Sequence, residues 1–353
     1  MARDIHKAFG EIYSGAQKSA QTLGDAVIGD QLRDLQRQAL STQRKNNASA
    51  VPFCYRIDAV WIKDTFKIIE INPDNVGGVE DSFELRQLYR RYLPEENPPP
   101  LPAERIAMAL KRLHPGEPGR IVYTDAECRM CAYRLSAILA KLGVAATPVH
   151  LNDLQDDDIK YTWIYRHLLY EDLFVHDFTG TVPTPTARAV EYFLNLAIDG
   201  DVAIYNPISD RLVFDKRFMA VDSLPFTISD EAKSSIKKWV AHTELISSTD
   251  ARQLQLFPPE DKVIKMAKGM GGRGVYLPGM HFGDQNIGDN YWIKQDYLRQ
   301  EQIEVESSGG WKPVYNLVHG IYVVNGDFAG DHLRVSSNPV VNVASGGGMI
   351  PAL

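Results

Sequence analysis

The amino-acid sequence predicts a mixed α/β (α+β) protein with more than one lobe. Between residues 104 and 173, segments with helical spacing alternate with short strand-like segments, which is typical of an open, mostly parallel sheet. On either side of this region, apolar runs joined by short turn sequences indicate antiparallel hairpins. The chain of 353 residues is also too long for one ordinary hydrophobic core. We therefore expect two or three lobes.

Composition and charge exclude several function classes. With 44% hydrophobic and 24% charged residues, the chain has the composition of a soluble globular protein. Its net charge of -7 argues against a nucleic-acid partner, because phosphate backbones attract clustered positive charge. No segment reaches membrane-spanning length, and the acidic Asp4 and Glu11 are unlike a signal peptide. Three cysteines suit a reducing compartment, so a cytoplasmic enzyme is expected.

The chain begins with a segment of helical character, expected over residues 1–50. Ile5, Phe9, Ile12 and Tyr13 are spaced three and four positions apart, as on one face of a helix. Such a segment is a candidate interface for a homodimer.

Oxygen-bearing side chains converge on one predicted hairpin, residues 55–73. With a three-residue turn at 63–65, the register places Asp58 opposite Glu70, and such neighbours lie about 4.5–5.5 Å apart at Cβ. Asn72, two residues further, points to the same side of the sheet. Three oxygen donors without His or Cys suit a hard cation such as Mg²⁺. The alternative is a surface hairpin with solvated acids, but a carboxylate among isoleucines is costly to bury.

A proline-rich connector at 97–102 marks the clearest boundary in the chain, after a turn at 73–78 and a predicted helix. The region beyond it has no glycine-rich nucleotide fingerprint, so we assign it to substrate binding or support. Cys128 and Cys131 form a CxxC without a second pair or nearby His, and ordinary helical cysteines are the preferred interpretation. The predicted helices and strands of this region are helices 104–113, 131–142 and 168–173 and strands 120–124, 146–150 and 163–165.

A glycine-rich loop, Lys-Gly-Met-Gly-Gly-Arg-Gly at 268–274, connects predicted strands 262–265 and 275–277. It differs from a Walker loop, which would end in Gly-Lys-Ser/Thr and open a helix. Its glycines allow backbone N–H groups to approach phosphate oxygens. Alone, such a loop is more often a plain hairpin turn. Near the C-terminus, Asn325-Gly326 between apolar runs predicts a second hairpin, over 316–335.

In this order, the C-terminal motifs resemble the ATP-grasp fold, whose members join a carboxylate to an amine through an acyl-phosphate. The resemblance implies that Arg334 binds phosphate and that Arg56 and Arg273 contact a phosphate or a substrate carboxylate. It also implies nucleotide contacts by the residues that match the family's lysines, lid, adenine hinge, ribose acid and final asparagine: Lys216, Lys265, Gly271, Gly272, Gly274, Lys294, Gln295, Tyr297, Leu298, Glu301 and Asn342.

The strands that would carry the metal stand at the N-terminus of this chain. Arg-x-Asp58 and Glu70-x-Asn72 match the family's metal acid and its Glu-x-Asn motif. The order therefore resembles a circularly permuted ATP-grasp fold with an inserted open α/β domain, as in the synthetase domain of glutathionylspermidine synthase. The domains implied are an N-terminal helical segment, metal-binding strands, the α/β pre-ATP-grasp-like substrate domain and the nucleotide-binding region with a lid at about 240–295: 1–50, 51–100, 101–200 and 201–353.

The resemblance implies an ATP-dependent carbon–nitrogen ligase that uses ATP and Mg²⁺, with the metal held by Asp58, Glu70 and Asn72. The substrates would be a small-molecule carboxylate and an amine of the amino acid, peptide or polyamine class, with no nucleic-acid or membrane partner. Glutathione and spermidine are not carried over, because the lid reads Gly-Gly-Arg-Gly rather than the Arg-Glu-Gly type. A small-molecule kinase, a non-catalytic nucleotide-binding protein and an unrelated α/β protein remain open.

Overall fold

A computed structural model describes residues 1–19, 52–90, 98, 100–156, 161–169, 173, 185–200, 202–256, 259–269, 272, 274–280, 291–306, 310, 312–343 and 346–351. Within these ranges the regular elements form three β-sheets with helices around them. The helices are α1 Ala2–Lys18, α2 Val79–Tyr89, α3 Pro102–Leu113, α4 Ala126–Lys141, α5 Ala187–Asp199, α6 Asp230–Trp239 and α7 Ser248–Leu256. The strands are β1 Cys54–Ile62, β2 Thr65–Asn72, β3 Gly119–Tyr123, β4 Ala146–His150, β5 Trp163–Arg166, β6 Ala203–Tyr205, β7 Thr243–Ile246, β8 Lys262–Met266, β9 Val275–Tyr276, β10 Trp292–Asp296, β11 Gln302–Glu304, β12 Val314–Val324, β13 Asp327–Ser336 and β14 Gly348–Pro351.

The largest sheet is antiparallel and joins the two ends of the chain. Its strand order is β14-β13-β12-β1-β2, and β11 pairs with the first residues of β12. The N-terminal hairpin therefore lies beside the C-terminal one, with Cys54 opposite Val324 and Asp58 opposite Gly320. The predicted C-terminal hairpin is confirmed, because Val324 pairs with Asp327 across Asn325-Gly326.

The turn of the N-terminal hairpin is shorter than predicted. Ile62 pairs with Thr65, so the connection has two residues, Lys63 and Asp64, rather than three. Both have positive φ, 45° and 66°. Two positive φ values are typical of a type I′ turn, whose backbone twist matches that of the flanking strands.

The predicted register of the N-terminal hairpin is nevertheless confirmed. A register shift between Asp58 and Ala59 leaves Ile69 as an extra residue in β2, which is the definition of a β-bulge. The bulge offsets the shorter turn and restores Asp58 to the position opposite Glu70.

A four-stranded parallel sheet follows, as the alternation of helix and strand predicts. Its order is β4-β3-β5-β6, and every neighbouring pair is parallel. Strand β6 belongs to this sheet although it lies beyond the predicted boundary at residue 200. Residues 168–169 are not helical, and most of the predicted helix 168–173 lies outside the described residues. Helix α5 was not predicted, although Thr186 caps its start and Gly200 ends it.

The third sheet is small and antiparallel, with the order β7-β10-β8-β9. Its outer face forms a separate small core with Ala251 of α7, in which Ile264, Tyr276 and Trp292 are buried. The main core instead extends from α1 through the other two sheets. The predicted N-terminal helix is confirmed for α1, while residues 20–50 lie outside the described part of the chain. None of the described helices is long and apolar enough to cross a membrane.

Candidate active site

A cleft of about 250 Å³ lies between one face of the antiparallel sheet and the inner face of the small sheet. The turn at 339–342 and the loop after β2 complete its wall. Twelve of the seventeen candidate residues identified from the sequence line this single cleft: Arg56, Asp58, Glu70, Asn72, Lys216, Lys265, Gly272, Gln295, Tyr297, Leu298, Arg334 and Asn342.

Strand alternation explains how distant motifs reach the same face. Side chains two residues apart point to the same side of a strand, so Arg56 and Asp58 of β1 share a face with their partners in β2. Arg56 lies opposite Asn72 and Asp58 opposite Glu70. On the other side of Asp58, the facing residue of β12 is Gly320, which has no side chain to separate Asp58 from β13.

The carboxylate of Asp58 lies at the centre of an ion cluster. Arg56 Nε donates to its Oδ1 at 2.7 Å, and Arg334 Nη2 lies 2.7 Å from its Oδ2. Asn72 Nδ2 donates to Oδ2 at 3.0 Å. Burial opposes ionisation of Asp58, but the guanidinium groups of Arg334 and Arg56 outweigh it and lower its pKa to about 2. Asp58 is therefore ionised at neutral pH although it is only 3% exposed.

Lys216 connects the second carboxylate to the glycine-rich loop. Its Nζ lies 3.0 Å from Glu70 Oε1 and donates to the carbonyl of Gly269 at 2.5 Å. Its backbone N–H donates to the carbonyl of Ala267 at 3.0 Å, which fixes the chain beside the end of β8. Lys216 is buried, whereas the side chain of Glu70 is 26% exposed to the cleft.

Lys265 is buried on the small sheet and faces the same cleft. Its Nζ donates to Gln295 Oε1 at 2.7 Å and to the carbonyl of Ile69 at 3.0 Å. Gln295 Nε2 in turn donates to Thr243 Oγ1 at 2.9 Å. Burial lowers the pKa of Lys265 to about 8, with Glu70 opposing that shift. Neither of these two partners is a carboxylate. The ammonium group is therefore suited to bind a negatively charged ligand.

Aliphatic side chains also line the cleft. Sites for small molecules combine such apolar surface with a few precisely placed polar groups. The aliphatic side chains come from four strands, from the segments that follow β9 and β10, and from the turn after β13: Val60, Ile69, Val263, Leu277, Leu298, Val318 and Val341.

Three candidates lie away from the cleft, contrary to expectation. Lys294 alternates with Gln295, so its side chain points to the outer face of β10 and pairs with Glu244 Oε2 at 2.7 Å. Glu301 is exposed and does not line the cavity. Gly274 has a φ of 69° and packs on Met266, so its role is conformational. Gly271 and Arg273 lie outside the described residues.

The donor set fits a hard cation only in part. Among the described residues, no three His, Cys, Asp or Glu side chains form a metal-binding group. Glu70 is partly exposed and Asn72 turns its amide nitrogen to Asp58, which leaves its oxygen available for another partner. These two oxygens suit Mg²⁺, which uses few protein ligands and keeps waters and phosphate oxygens. Asp58 does not fit, because arginine and asparagine N–H groups already occupy its oxygens.

Sequence reasoning missed residues that position the site. Gly320 lies mid-strand, where a Cβ would be 2.8 Å from His332 Nε2 and 3.0 Å from Arg56 Cδ. A glycine inside a strand pattern indicates such a close approach and could have identified it. No sequence pattern identifies Thr243 as part of the site, because its hydrogen bond to Gln295 arises only when β7 pairs with β10.

His319, His332 and the CxxC do not line this cleft. His319 pairs with Asp331 on the opposite face of the sheet at 2.8 Å, and His332 is buried among packed side chains. Burial, and then Arg56 and Arg334, lower the pKa of His332 well below its usual value, so it is neutral. Burial raises the pKa of Cys131 to about 11, which is unlike a reactive thiolate.

No family model matches the sequence, and no curated protein matches it either. The structure is similar to "a glutathione synthetase like-effector (GSS30)" from Globodera pallida in its apoform, with a TM-score of 0.59 and 14% identity. That similarity covers 99% of this chain and 86% of the other chain. A putative gamma-glutamylcysteine synthetase from Methylobacillus flagellatus KT gives a TM-score of 0.48 at 10% identity, over 98% and 88% of the two chains. At such low identity, the first of these similarities shows that the chain shares the fold of a glutathione synthetase-like protein.

Proposed function

We propose that this protein is an ATP-dependent carboxylate–amine ligase with a circularly permuted ATP-grasp fold. One observation carries the proposal: four basic side chains from distant parts of the chain line one cleft together with Asp58, Glu70, Asn72 and several aliphatic side chains. The basic side chains are those of Arg56, Lys216, Lys265 and Arg334. The similarity to a glutathione synthetase-like fold supports this function at the level of architecture only.

The charge of the cleft suits a magnesium-bound triphosphate. Four cations against Asp58 and Glu70 leave a local charge of 4 - 2 = +2 when Lys265 is protonated. Asp296 pairs with Lys262, and Asp74 pairs with Arg166, so neither adds a free carboxylate to this balance. ATP with one Mg²⁺ carries the opposite charge and would neutralise the cluster.

Each basic residue has a place along the proposed nucleotide. Lys216 and Lys265 would hold the α- and β-phosphates, and Arg334 with Arg56 would bind the γ-phosphoryl group and its developing charge. Glu70 and Asn72 would hold Mg²⁺, which supplies charge neutralisation at the phosphate oxygens. Adenine would lie against aliphatic side chains of the cleft, beside Leu298 and its neighbours.

The glycine-rich loop would close the site against water. A Cβ at Gly272 would lie 3.0 Å from Val340 Cγ1 and 3.7 Å from Asn342 Nδ2, so this glycine lies close to the turn after β13. Closure matters because water would hydrolyse an acyl-phosphate before an amine could attack its carbonyl carbon. The acid and the amine are proposed to be of the amino acid, peptide or polyamine class.

The test is ADP and phosphate release from Mg-ATP with pools of amino acids, other small carboxylic acids and amines. We expect release that requires both an acid and an amine and that is lost in Glu70→Ala, because that variant removes a metal ligand. Glu304→Ala is the matched control, since Glu304 is an exposed carboxylate of β11 outside the cleft. It should release ADP like the wild type.

Two results would replace this proposal. ADP formation that depends on an acceptor but not on an amine would indicate a small-molecule kinase. An absence of nucleotide binding by the wild-type protein would remove the ATP-grasp assignment altogether.

A further inference from the structure

Both oxygens of Asp58 already contact neighbouring N–H groups. Oδ1 accepts from Arg56 Nε, and Oδ2 lies within 3.3 Å of Arg56 Nη2, 3.0 Å of Asn72 Nδ2 and 2.7 Å of Arg334 Nη2. Each carboxylate oxygen accepts from about two directions, so the three contacts at Oδ2 use all of its capacity, whereas Oδ1 keeps one further direction. The side chain is also only 4% exposed. Asp58 therefore has little to offer an incoming cation.

The two arginines reach Asp58 from different strands. Arg56 extends along β1, where its Nη1 also donates to the carbonyl of Gly77 at 3.0 Å. Arg334 comes from β13, and its Nε is buried without a hydrogen-bond partner in the described part of the chain. Gly320 lies between them on β12, where an added Cβ would come within 3.0 Å of Arg56 Cδ and 2.8 Å of His332 Nε2. The Asp58 carboxylate thus contacts two guanidinium groups, one on each side of β12, at the position where β12 has Gly320 and no side chain.

Glu70 differs from Asp58 in each of these respects. One lysine contacts it, at 3.0 Å, and its side chain is 26% exposed to the cleft. It lies directly opposite Asp58, so the two acids differ in their partners and not in their position along the sheet.

We infer that Asp58 is a positioning residue that orients Arg56 and Arg334 toward the transferring phosphoryl group, and that Glu70 with Asn72 binds the metal without it. This inference rests on the proposed ATP-dependent function. It departs from the role that the sequence resemblance implies for Asp58. Bidentate and charge-assisted contacts fix guanidinium orientation more strictly than neutral hydrogen bonds do, which is the property that phosphoryl transfer requires.

Binding of Mn²⁺, a paramagnetic substitute for Mg²⁺, separates the two roles without any need for turnover. Electron paramagnetic resonance would measure free Mn²⁺ in the presence of protein and a non-hydrolysable ATP analogue, AMP-PNP. We expect Glu70→Gln to weaken Mn²⁺ binding by about tenfold or more and Asp58→Asn to leave it unchanged. Asp331→Asn is the matched control, because Asp331 is also a hydrogen-bonded carboxylate on this sheet but lies on the opposite face.

A second variant tests the positioning role without altering any oxygen donor. Gly320→Ala places a Cβ against Arg56 and His332 and should displace Arg56 from Asp58. We expect Gly320→Ala and Asp58→Asn to lower the maximal rate of ADP formation by about tenfold or more while the Mg²⁺ concentration for half-activation stays constant. Equal Mn²⁺ loss in Asp58→Asn and Glu70→Gln would overturn the inference, since Asp58 would then be a ligand.

Failure of the proposed function has a different signature. If wild-type protein binds neither AMP-PNP nor the Mn²⁺ complex of AMP-PNP, both the proposed nucleotide binding and the inference about Asp58 are wrong. If wild-type protein binds both and Asp58→Asn also binds Mn²⁺ normally but forms ADP at the wild-type rate, only the positioning role is overturned.

Discussion

The Asp58 carboxylate contacts side chains from three strands, and each contact arises from a different part of the chain. Arg56 is two residues away on β1, Asn72 lies on β2, and Arg334 comes from β13. Such a buried carboxylate is stable only because cations surround it, since an isolated buried charge is strongly destabilising. At the residue scale, Asp58 is therefore stabilised by neighbouring cations before any ligand binds.

Lys265 gives the site an expected pH dependence. Its pKa of about 8 lies below the usual value because of burial, so the charged form exists in the free protein below about pH 8. Affinity for AMP-PNP should therefore be greatest below that pH and should fall as the pH rises from about 7 to about 9, as the ammonium group loses its proton. Calorimetric titration across this range measures it.

The control for this prediction is Lys265→Met, because the methionine side chain is unbranched and of similar length but carries no charge. Its affinity should be lower at neutral pH and should no longer change between about pH 7 and about pH 9. An unchanged pH profile in Lys265→Met would assign the titration to another group.

At the element scale, the parallel sheet depends on close packing at the start of β3. A Cβ at Gly119 would lie 2.1 Å from two ring carbons of Trp163, which is fully buried on the neighbouring strand β5. The ring cannot move into occupied space, because protein interiors are packed as densely as organic crystals. Glycine is therefore required at this position for packing, although its φ is not positive.

Gly119→Ala should lower the free energy of unfolding by about 1–3 kcal/mol or more, as expected for overpacking in a dense core. Urea denaturation followed by tryptophan fluorescence would measure the change. Gly77→Ala is the matched control, because no atom lies within 4 Å of the Cβ that it would add. If Gly77→Ala lowered the free energy of unfolding as much as Gly119→Ala, the packing explanation would be contradicted.

At the scale of the whole molecule, a buried ion pair fixes the parallel sheet against the antiparallel sheet. Arg166 at the end of β5 and Asp74 just after β2 are both fully buried and hydrogen-bonded to each other. Arg166 also donates to the backbone carbonyls of Leu168 and Asn206. Because Asp74 lies two residues beyond Asn72 and lines the cleft, this pair sets the position of the cleft wall relative to the α/β region.

Breaking that pair should be far more costly than breaking an exposed one. Arg166→Met leaves Asp74 buried without its main partner and should destabilise the protein by about 3–5 kcal/mol. Lys237→Met removes a surface ion pair with Asp222, in which both side chains are more than half exposed, and should cost about 0–1 kcal/mol. Chemical denaturation of both variants would measure these changes in the free energy of unfolding. Equal losses of stability would contradict the role of the Arg166–Asp74 pair in fixing the two sheets together.

Local patterns in the sequence determined the elements that carry the site. The alternation around Asp58 and Glu70 placed them on one face, and the register was right because the bulge at Ile69 offset the error in the turn. The Asn325-Gly326 turn and the parallel sheet also followed from local spacing. These features depend on residues close in sequence or on patterns that repeat along the chain.

The tertiary structure alone decided which charges meet. Pairing of β1 with β12 brings Arg334 to Asp58, and pairing of β10 with β7 directs Lys294 to Glu244 and away from the cleft. A motif shows which residue types are present but not which face of a strand looks into a cavity formed by another sheet. Ion pairs between residues distant in sequence arise only after the sheets assemble, because Coulomb energy depends on distance in space and on burial.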